Sequence, residues 1–551
     1  MAGIAGWIAA ARSAADENAL GPMLGALEHR GIGSLVGYVE HDRKRQTVLG
    51  VSLRDPAAQI ALVLDGTIVN ARELRTRLVG HGFRFGGESA EEVLLRAYQY
   101  WDKDLVKQLR GAFAFAIWDA RKDRLLIARD RFGEKPLYLH EKDGILYFAS
   151  EAKALLKVPG LERRVDLPAV RDCLAYRYVP GPRTLFAGIR KLQPGTYGLW
   201  QYGKLHEVRY WVAPDAAPYV KRKNEQALEG FLSSLEEAVG LLPAEGVLLT
   251  GGLDSALLLA LASARGLKPK TFSLGFQGDK ASGLPRAAQA AKHFGAEHHE
   301  LVVPPTELMA HLEYLVSCRD APVSQPSDLA ACRLAGEAGR CVKTLLTGDG
   351  CNELLGGDRR HAPEPLPAQL IAPLNGRHGH EPRAKAGEAP KSDPDPRASP
   401  LRRAFYIDQT TWLPDELLER NDRVAAAASV EARMPFLDHR VAEYVSGLPD
   451  ERRVGGLATP WILREAGRRL LPAPQRQRAK AGWRLDLAGW LRNELRDFTL
   501  DHLQGGSSIT RQYYDAAALD RLLDEHLKGN KNHEMLLWNL LNIEIWHRTY
   551  A

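Results

Sequence analysis

Apolar residues come in two rhythms along this 551-residue chain. Up to about residue 205 they form short runs separated by turn residues: Ile60-Ala-Leu-Val-Leu-Asp-Gly66, Ala112-Phe-Ala-Phe-Ala-Ile-Trp118, Arg124-Leu-Leu-Ile-Ala128 and Ile145-Leu-Tyr-Phe-Ala149. Runs of this length predict strands, and Glu91-Glu-Val-Leu-Leu-Arg-Ala-Tyr98 predicts a helix between them. The pattern is that of a layered α+β domain. From about residue 225 longer amphipathic helices alternate with single buried strands, Gly246-Val-Leu-Leu249, Lys270-Thr-Phe-Ser-Leu274 and Val342-Lys-Thr-Leu-Leu346, as in a parallel α/β sheet. Beyond about residue 400 the signal is almost wholly helical. Residues 362–400, rich in Pro, Gly, Ala and charge, break the rhythm and read as a mobile insertion, with a functional lid as the alternative. No internal repeat is apparent.

Composition narrows the class. Lys plus Arg number 74 against 68 Asp plus Glu, a net charge of +6 that is spread along the chain and serves solubility rather than nucleic-acid binding. The chain lacks a basic, apolar, small-residue leader and any run of about eighteen apolar residues, so a cytoplasmic protein without membrane partners is expected. The five cysteines include no CxxC pair, which argues against a zinc site or a disulfide framework and for buried thiols.

The strongest chemical signal is Thr250-Gly-Gly-Leu-Asp-Ser255, between the apolar run at 246–249 and Ala256-Leu-Leu-Leu-Ala-Leu-Ala262. Two glycines admit an anion close to the backbone, and the hydroxyls, amides and dipole at a helix start favour negative charge. Such a loop suits pyrophosphate; a plain strand-to-helix turn is the alternative.

This segment resembles the SGGLDS loop of the asparagine synthetase B family, and the resemblance runs through nearly the whole chain. It includes Ala128-Arg-Asp-Arg-Phe-Gly-Glu-Lys-Pro-Leu-Tyr138, Phe148-Ala-Ser-Glu-Ala-Lys-Ala-Leu155, Tyr178-Val-Pro-Gly-Pro-Arg-Thr-Leu-Phe186, Thr347-Gly-Asp-Gly-Cys-Asn-Glu-Leu-Leu-Gly-Gly357 and Val430-Glu-Ala-Arg-Met-Pro-Phe-Leu-Asp-His439. The resemblance implies a four-layer N-terminal-nucleophile sandwich over residues 1–205. It implies a parallel-sheet, HUP-like α/β ATP-pyrophosphatase domain with a helical C-terminal part over 225–551. It also implies ATP and Mg2+ as cofactors and an acyl-adenylate made with release of pyrophosphate. Leu248, Thr250, Gly251, Gly252, Asp254, Ser255, Ser273 and Gly348 would hold the nucleotide. Asp254 and Asn352 would face the metal, Asn352 standing where the family's GDGxDE motif has a second carboxylate. Lys480, in Arg478-Ala-Lys-Ala-Gly-Trp483, would stabilise developing charge. Asp349 would lie near the reacting amine, with a helix-capping acid as its plain alternative, and Asp349 and Glu353 would compensate for the missing carboxylate.

The glutaminase positions of the family are altered together. Ala2 replaces the cysteine nucleophile. His29-Arg-Gly-Ile-Gly33 replaces HRGPD, and Asp65-Gly-Thr-Ile-Val-Asn70 replaces NGEIYN, so that Asp65, beside Gly66, stands where an asparagine donates to the oxyanion. Ala90 and Ser52 replace the two ionic anchors for glutamine. The resemblance therefore implies a silent glutaminase domain and an amide-bond synthetase whose amine has another source. Relatives of that kind include β-lactam and carbapenam synthetases, lasso-peptide cyclases and amide synthetases of specialised metabolism; Asp349, where β-lactam synthetases place tyrosine, disfavours that group. Ser282 and Gly283 in place of an acidic pair, and Asp320-Ala-Pro322 in place of DEP, point away from ordinary aspartate as substrate. Two alternatives stand: an asparagine synthetase that uses ammonia or carries an engineered Ala2, and a non-catalytic regulatory homologue, for which Asn352 speaks. The expected partners are a small-molecule or peptide carboxylate and an amine, and a homodimer is left open.

Overall fold

The computed structural model describes residues 3–9, 19–30, 36–41, 46–51, 53–55, 57–214, 219–220, 222–277, 283–304, 307, 309–356, 398–453, 459–476 and 485–551. Ala2, Ser52, Ser282, Lys480 and the 362–400 stretch, except for its last three residues, lie outside them.

The first strands are β1 (Ala5–Ala9), β2 (Val36–His41), β3 (Gln46–Val51), β4 (Leu53–Asp55), β5 (Ile60–Ile68), β6 (Gly111–Asp119), β7 (Arg124–Arg129), β8 (Tyr138–Lys142), β9 (Ile145–Ala149), β10 (Ile189–Lys191), β11 (Thr196–Gln201) and β12 (Lys204–Arg209). They form two sheets, ordered β10-β8-β9-β1-β3-β2 and β12-β11-β7-β6-β5-β4. Side chains alternate across a strand, and both faces of β5 are buried. Ala61 and Val63 join Ile4, Ile8, Ala116 and Phe148 between the sheets. Leu62 and Leu64 pack outward with Leu74, Leu78, Leu94 and Tyr98, which belong to the Ala71–Gly80 and Ala90–Trp101 helices. Double burial explains why this strand reads as an unbroken apolar run. On the outer face of the other sheet, Trp7 and Tyr147 meet Met23, Leu155 and Val170. Helix, sheet, sheet and helix make the four layers implied by the resemblance.

The third sheet contains β13 (Gly246–Leu248), β14 (Lys270–Phe276), β15 (His298–Val303), β16 (Thr344–Leu346) and β17 (Glu431–Arg433), all parallel, in the order β15-β14-β13-β16-β17. The chain moves outward from β13 to β14 and β15, then returns to the opposite side of β13 for β16. The order reverses between β13 and β16, and in open parallel sheets ligands bind outside the carboxyl ends of the strands at such a reversal. Helices dominate after residue 398, among them Pro400–Thr410, Glu419–Ala427 and the buried Glu534–Tyr550. None of the five cysteines is in a disulfide. The expectation of buried thiols holds for Cys173, Cys318 and Cys351 but not for Cys332, which is half-buried, nor for Cys341, which is exposed just beyond the Ser327–Gly339 helix. Among the described residues no helix is long and apolar enough to cross a membrane.

Arg110 fastens the two halves together. It is 3 % exposed and donates to Asp438 Oδ2 through Nη2 at 2.8 Å and Nε at 3.2 Å, and to Glu237 at 2.5 Å. Arg110→Ala leaves the buried Asp438 carboxylate without its cation, a change that typically costs about 3–5 kcal/mol. The thermal midpoint of the variant should fall clearly below that of the parent in calorimetry; an unchanged midpoint would show that water replaces the arginine freely.

Candidate active site

The loops after β13 and β16 meet at the reversal. The first, Thr250–Gly252, leads into the Leu253–Ala264 helix with Gly252 at its N-cap. Gly251 has φ of +77°, and a Cβ there would lie 2.5 Å from the Gly283 carbonyl oxygen, so glycine satisfies both the backbone conformation and the space. The hydroxyls brace this turn. Thr250 Oγ1 accepts from the Gly252 amide at 3.3 Å, and Ser255 Oγ donates to the Gly252 carbonyl at 3.2 Å. Ser273 is buried on the neighbouring strand, and its Oγ donates to the Leu249 carbonyl at 2.6 Å. It supports the end of β13 from below, and Leu248 is half-buried on β13 itself.

Asp254 is the acidic residue of the first helical turn. A Cβ placed on Gly348 would come within 2.9 Å of Asp254 Oδ2, which shows how closely this carboxylate packs against the second loop. There Gly350, at φ +87°, caps the short Cys351–Leu355 helix without a side-chain hydrogen bond, so the capping position is not Asp349. Asn352 is half-buried, and Glu353 is buried with its backbone carbonyl accepting from Gln409 at 3.1 Å.

Asp349 has a neighbour that the sequence did not single out. Its Oδ1 lies 4.0 Å from Nη2 of Arg420 on the Glu419–Ala427 helix. Arg420 donates to Asp328 Oδ1 at 2.9 Å and to Asn421 Oδ1 at 3.1 and 3.2 Å, while Arg319 takes Asp328 Oδ2 at 3.0 Å and Glu416 at 2.6 Å. Burial opposes the charge on Arg420, but the carboxylates of Asp328, Asp349 and Glu416 outweigh it and raise its pKa above the ordinary value. Asp328 and Arg420 are 92 residues apart in sequence, and each read alone is an ordinary surface-type charge. Only the fold brings them beside Asp349.

The donor set suits a magnesium nucleotide. Mg2+ takes oxygen ligands, keeps several waters and bridges phosphates, so it needs one or two protein oxygens rather than a cage. Asp254 and Asn352 offer a carboxylate and an amide oxygen, and no cluster of three or more His, Cys, Asp or Glu suited to a metal occurs among the described residues. Thr347 Oγ1, beside Gly348, is buried without a hydrogen-bond partner among the described residues, as expected of a group that a ligand completes.

In the N-terminal half, Asp65 is fully buried and accepts from Arg30 Nη2 at 3.1 Å and Ser150 Oγ at 2.9 Å. A carboxylate held this way accepts hydrogen bonds and supplies none to an oxyanion. Ala90 begins the Ala90–Trp101 helix, which Ser89 caps by accepting from the Glu92 amide at 3.2 Å. The Glu92 carboxylate turns back to the amides of Gly86 and Gly87, both at 2.8 Å. Gly66 permits the close β5–β6 contact: with φ of +111°, a Cβ would lie 2.1 Å from the Ala112 carbonyl oxygen.

Comparison with known proteins completes the picture. Residues 235–548 match the asparagine synthase family and residues 1–211 match a glutamine amidotransferase domain. A putative glutamine-hydrolysing asparagine synthetase of Mycobacterium tuberculosis is 31% identical, over 89% of this chain and 84% of its own. Glutamine-hydrolysing asparagine synthetase 1 of Bacillus subtilis is 28% identical, over 88% of this chain and 85% of its own. An amidase of Penicillium rubens, chyE, is 26% identical over 75% of each chain.

Proposed function

Because the chain belongs to the asparagine synthase family, and so to ATP-dependent ligases that form C–N bonds, we propose that it joins a carboxylic acid to an amine that glutamine hydrolysis does not supply. The observation that carries this reading is the Asp65 carboxylate, buried against Arg30 where a glutaminase needs a hydrogen-bond donor. Ala2, Ala90 and Ser52 point the same way.

In this reading a carboxylate oxygen attacks the α-phosphorus of ATP and pyrophosphate leaves. The amine nitrogen then attacks the acyl carbon, AMP departs, and the nitrogen loses a proton. The backbone of Thr250–Ser255 would receive the phosphates, Asp254 and Asn352 would hold the cation, and Lys480 would stabilise the charge on the leaving groups. Asp349 takes the amine's proton and Arg420 holds it in place. Mg2+ would supply charge neutralisation on the departing pyrophosphate. The fungal amidase relative supports a specialised acid and amine. A second reading, asparagine made from free ammonium, is favoured by the names of the bacterial relatives.

Pyrophosphate release from ATP-Mg with aspartate, offered ammonium in one reaction and glutamine in another, separates the two readings when product mass is followed. Release with ammonium and a product of asparagine's mass selects the second. Silence in both, with ATP still bound, excludes the second and directs the search to a different acid and amine. Ala2→Cys alone should leave glutamine hydrolysis at background in an ammonia-release assay, because Asp65, Ala90 and Ser52 remain; vigorous hydrolysis would refute the silent domain.

A further inference from the structure

Beneath the altered glutaminase positions lies a buried set of charges that crosses between the two halves of the molecule. Arg30 is its hub: besides Asp65 it reaches Glu151 at 2.8 Å and Asp422, on the Glu419–Ala427 helix of the synthetase half, at 2.8–2.9 Å. Lys135 also holds Asp422, at 2.9 Å. Arg423 reaches back to Glu151 at 2.6 Å and lies 3.8 Å from Asp320, and Lys153 joins Glu151 at 2.8 Å to Asp320 at 3.4 Å. His29 approaches Glu151 from the more exposed side, at 3.0 Å. Arg30, Asp65, Glu151 and Arg423 are all 0 % exposed.

The ledger of formal charge across the seam is informative. Leaving His29 neutral, the N-terminal half brings three cations, Arg30, Lys135 and Lys153, against two acids, Asp65 and Glu151. The synthetase half brings two acids, Asp320 and Asp422, against one cation, Arg423. Counting the ion pairs just named, the set is neutral when position 65 is acidic and carries one excess positive charge when it is not. Burial pulls the pKa of Arg30 down, yet Asp422, Asp65 and Glu151 overcome it and raise that pKa. Burial likewise pushes Asp422 up, but Arg30 and Lys135 prevail and hold it far below the usual carboxylate range. Uncompensated charge at this depth costs far more than a surface mismatch.

We infer that Asp65 is the counter-charge of the interdomain seam: the residue that removes the oxyanion donor also neutralises the cluster that holds the Glu419–Ala427 helix against the N-terminal half. That helix carries Arg420, so the silent domain positions the synthetase centre through it. The inference stands on this geometry and does not depend on which acid or amine the enzyme uses.

Asp65→Asn tests it, because asparagine keeps the shape and an oxygen for Arg30 and Ser150 while removing the charge. In the full-length chain the variant should melt about 5–10 °C lower. Hydrogen exchange should rise in the Glu419–Ala427 helix of the other half and stay unchanged in the Ala90–Trp101 helix. Adding Lys135→Met restores neutrality, so the double variant should melt above D65N, or recover soluble protein should D65N fail to fold. A D65N midpoint within about 1 °C of the parent, unaltered exchange at Glu419–Ala427, or a double variant that melts below D65N or is also insoluble, would overturn the assignment.

Discussion

Asp254→Ala should lower magnesium-dependent pyrophosphate release about a thousandfold or more, with the acid that supports turnover in the parent, while the protein stays folded. The loss follows from position. Asp254 lies at the start of the Leu253–Ala264 helix, with its carboxylate packed against Gly348 of the facing loop, and in the proposed reading it is the charged ligand of the cation. A divalent cation neutralising the departing pyrophosphate contributes several kcal/mol of transition-state stabilisation, and about 4 kcal/mol corresponds to a thousandfold. The fold should survive because truncation removes a polar group at the loop rather than volume from the core formed by Leu257, Leu258 and Leu259. ATP titration by calorimetry with and without Mg2+ provides the check: affinity in the variant should no longer respond to the cation. An Asp254→Ala protein with the magnesium response of the parent would move the metal to other residues.

Gly66→Ala is the second change expected to have a large effect, and it acts on folding rather than on chemistry. Gly66 pairs with Phe113 across β5 and β6, and the added methyl would lie 2.1 Å from the Ala112 carbonyl oxygen, a backbone atom with no rotamer to change. The φ of +111° adds strain for any L side chain. The strands must separate or re-register, disturbing the layers on both sides, with an expected cost of about 3 kcal/mol or more by analogy with overpacked cores. Soluble yield and thermal midpoint should both drop sharply. A Gly66→Ala protein that melts with the parent would mean that the β5–β6 contact relaxes easily.

These two positions also mark how far the sequence could be read. The strand-to-helix turn at Thr250–Ser255 was legible because everything that makes it is local: strand, glycines, hydroxyls and helix follow one another within about a dozen residues. Strands β5, β6, β7 and β9 were legible because burial on both faces leaves an unbroken apolar run. β17 was not, since Glu431-Ala-Arg433 is three residues long and two of them are charged. The alternative of Asp349 as a helix cap could be decided only from backbone geometry, which gives that position to Gly350. The seam was illegible for a different reason. Arg30 and Asp422 are 392 residues apart, and charged side chains are ordinarily expected at the surface, so no window of sequence shows that they neutralise each other inside. The replacement of asparagine by Asp65 could be read as a loss from the motif alone; the gain that accompanies it needed the partner residues in space.

The Glu534–Tyr550 helix has a consequence for biosynthesis. Trp546 Nε1 donates to the Asp320 carbonyl at 3.0 Å, Trp538 Nε1 donates to the Val323 carbonyl at 2.8 Å, and Asn542 accepts from the Val323 amide at 3.2 Å. The segment Asp320–Val323 thus takes its supports from residues 215 to 226 positions later. At about 5–20 residues per second on the ribosome, that segment waits for about 10 to 45 seconds after it is made. Throughout this interval Lys153 can already hold the Asp320 carboxylate, whereas the aromatic side chains that pack on Phe186 and bond the Asp320–Val323 backbone are still to come, and the apolar surface they cover stands open to chaperones.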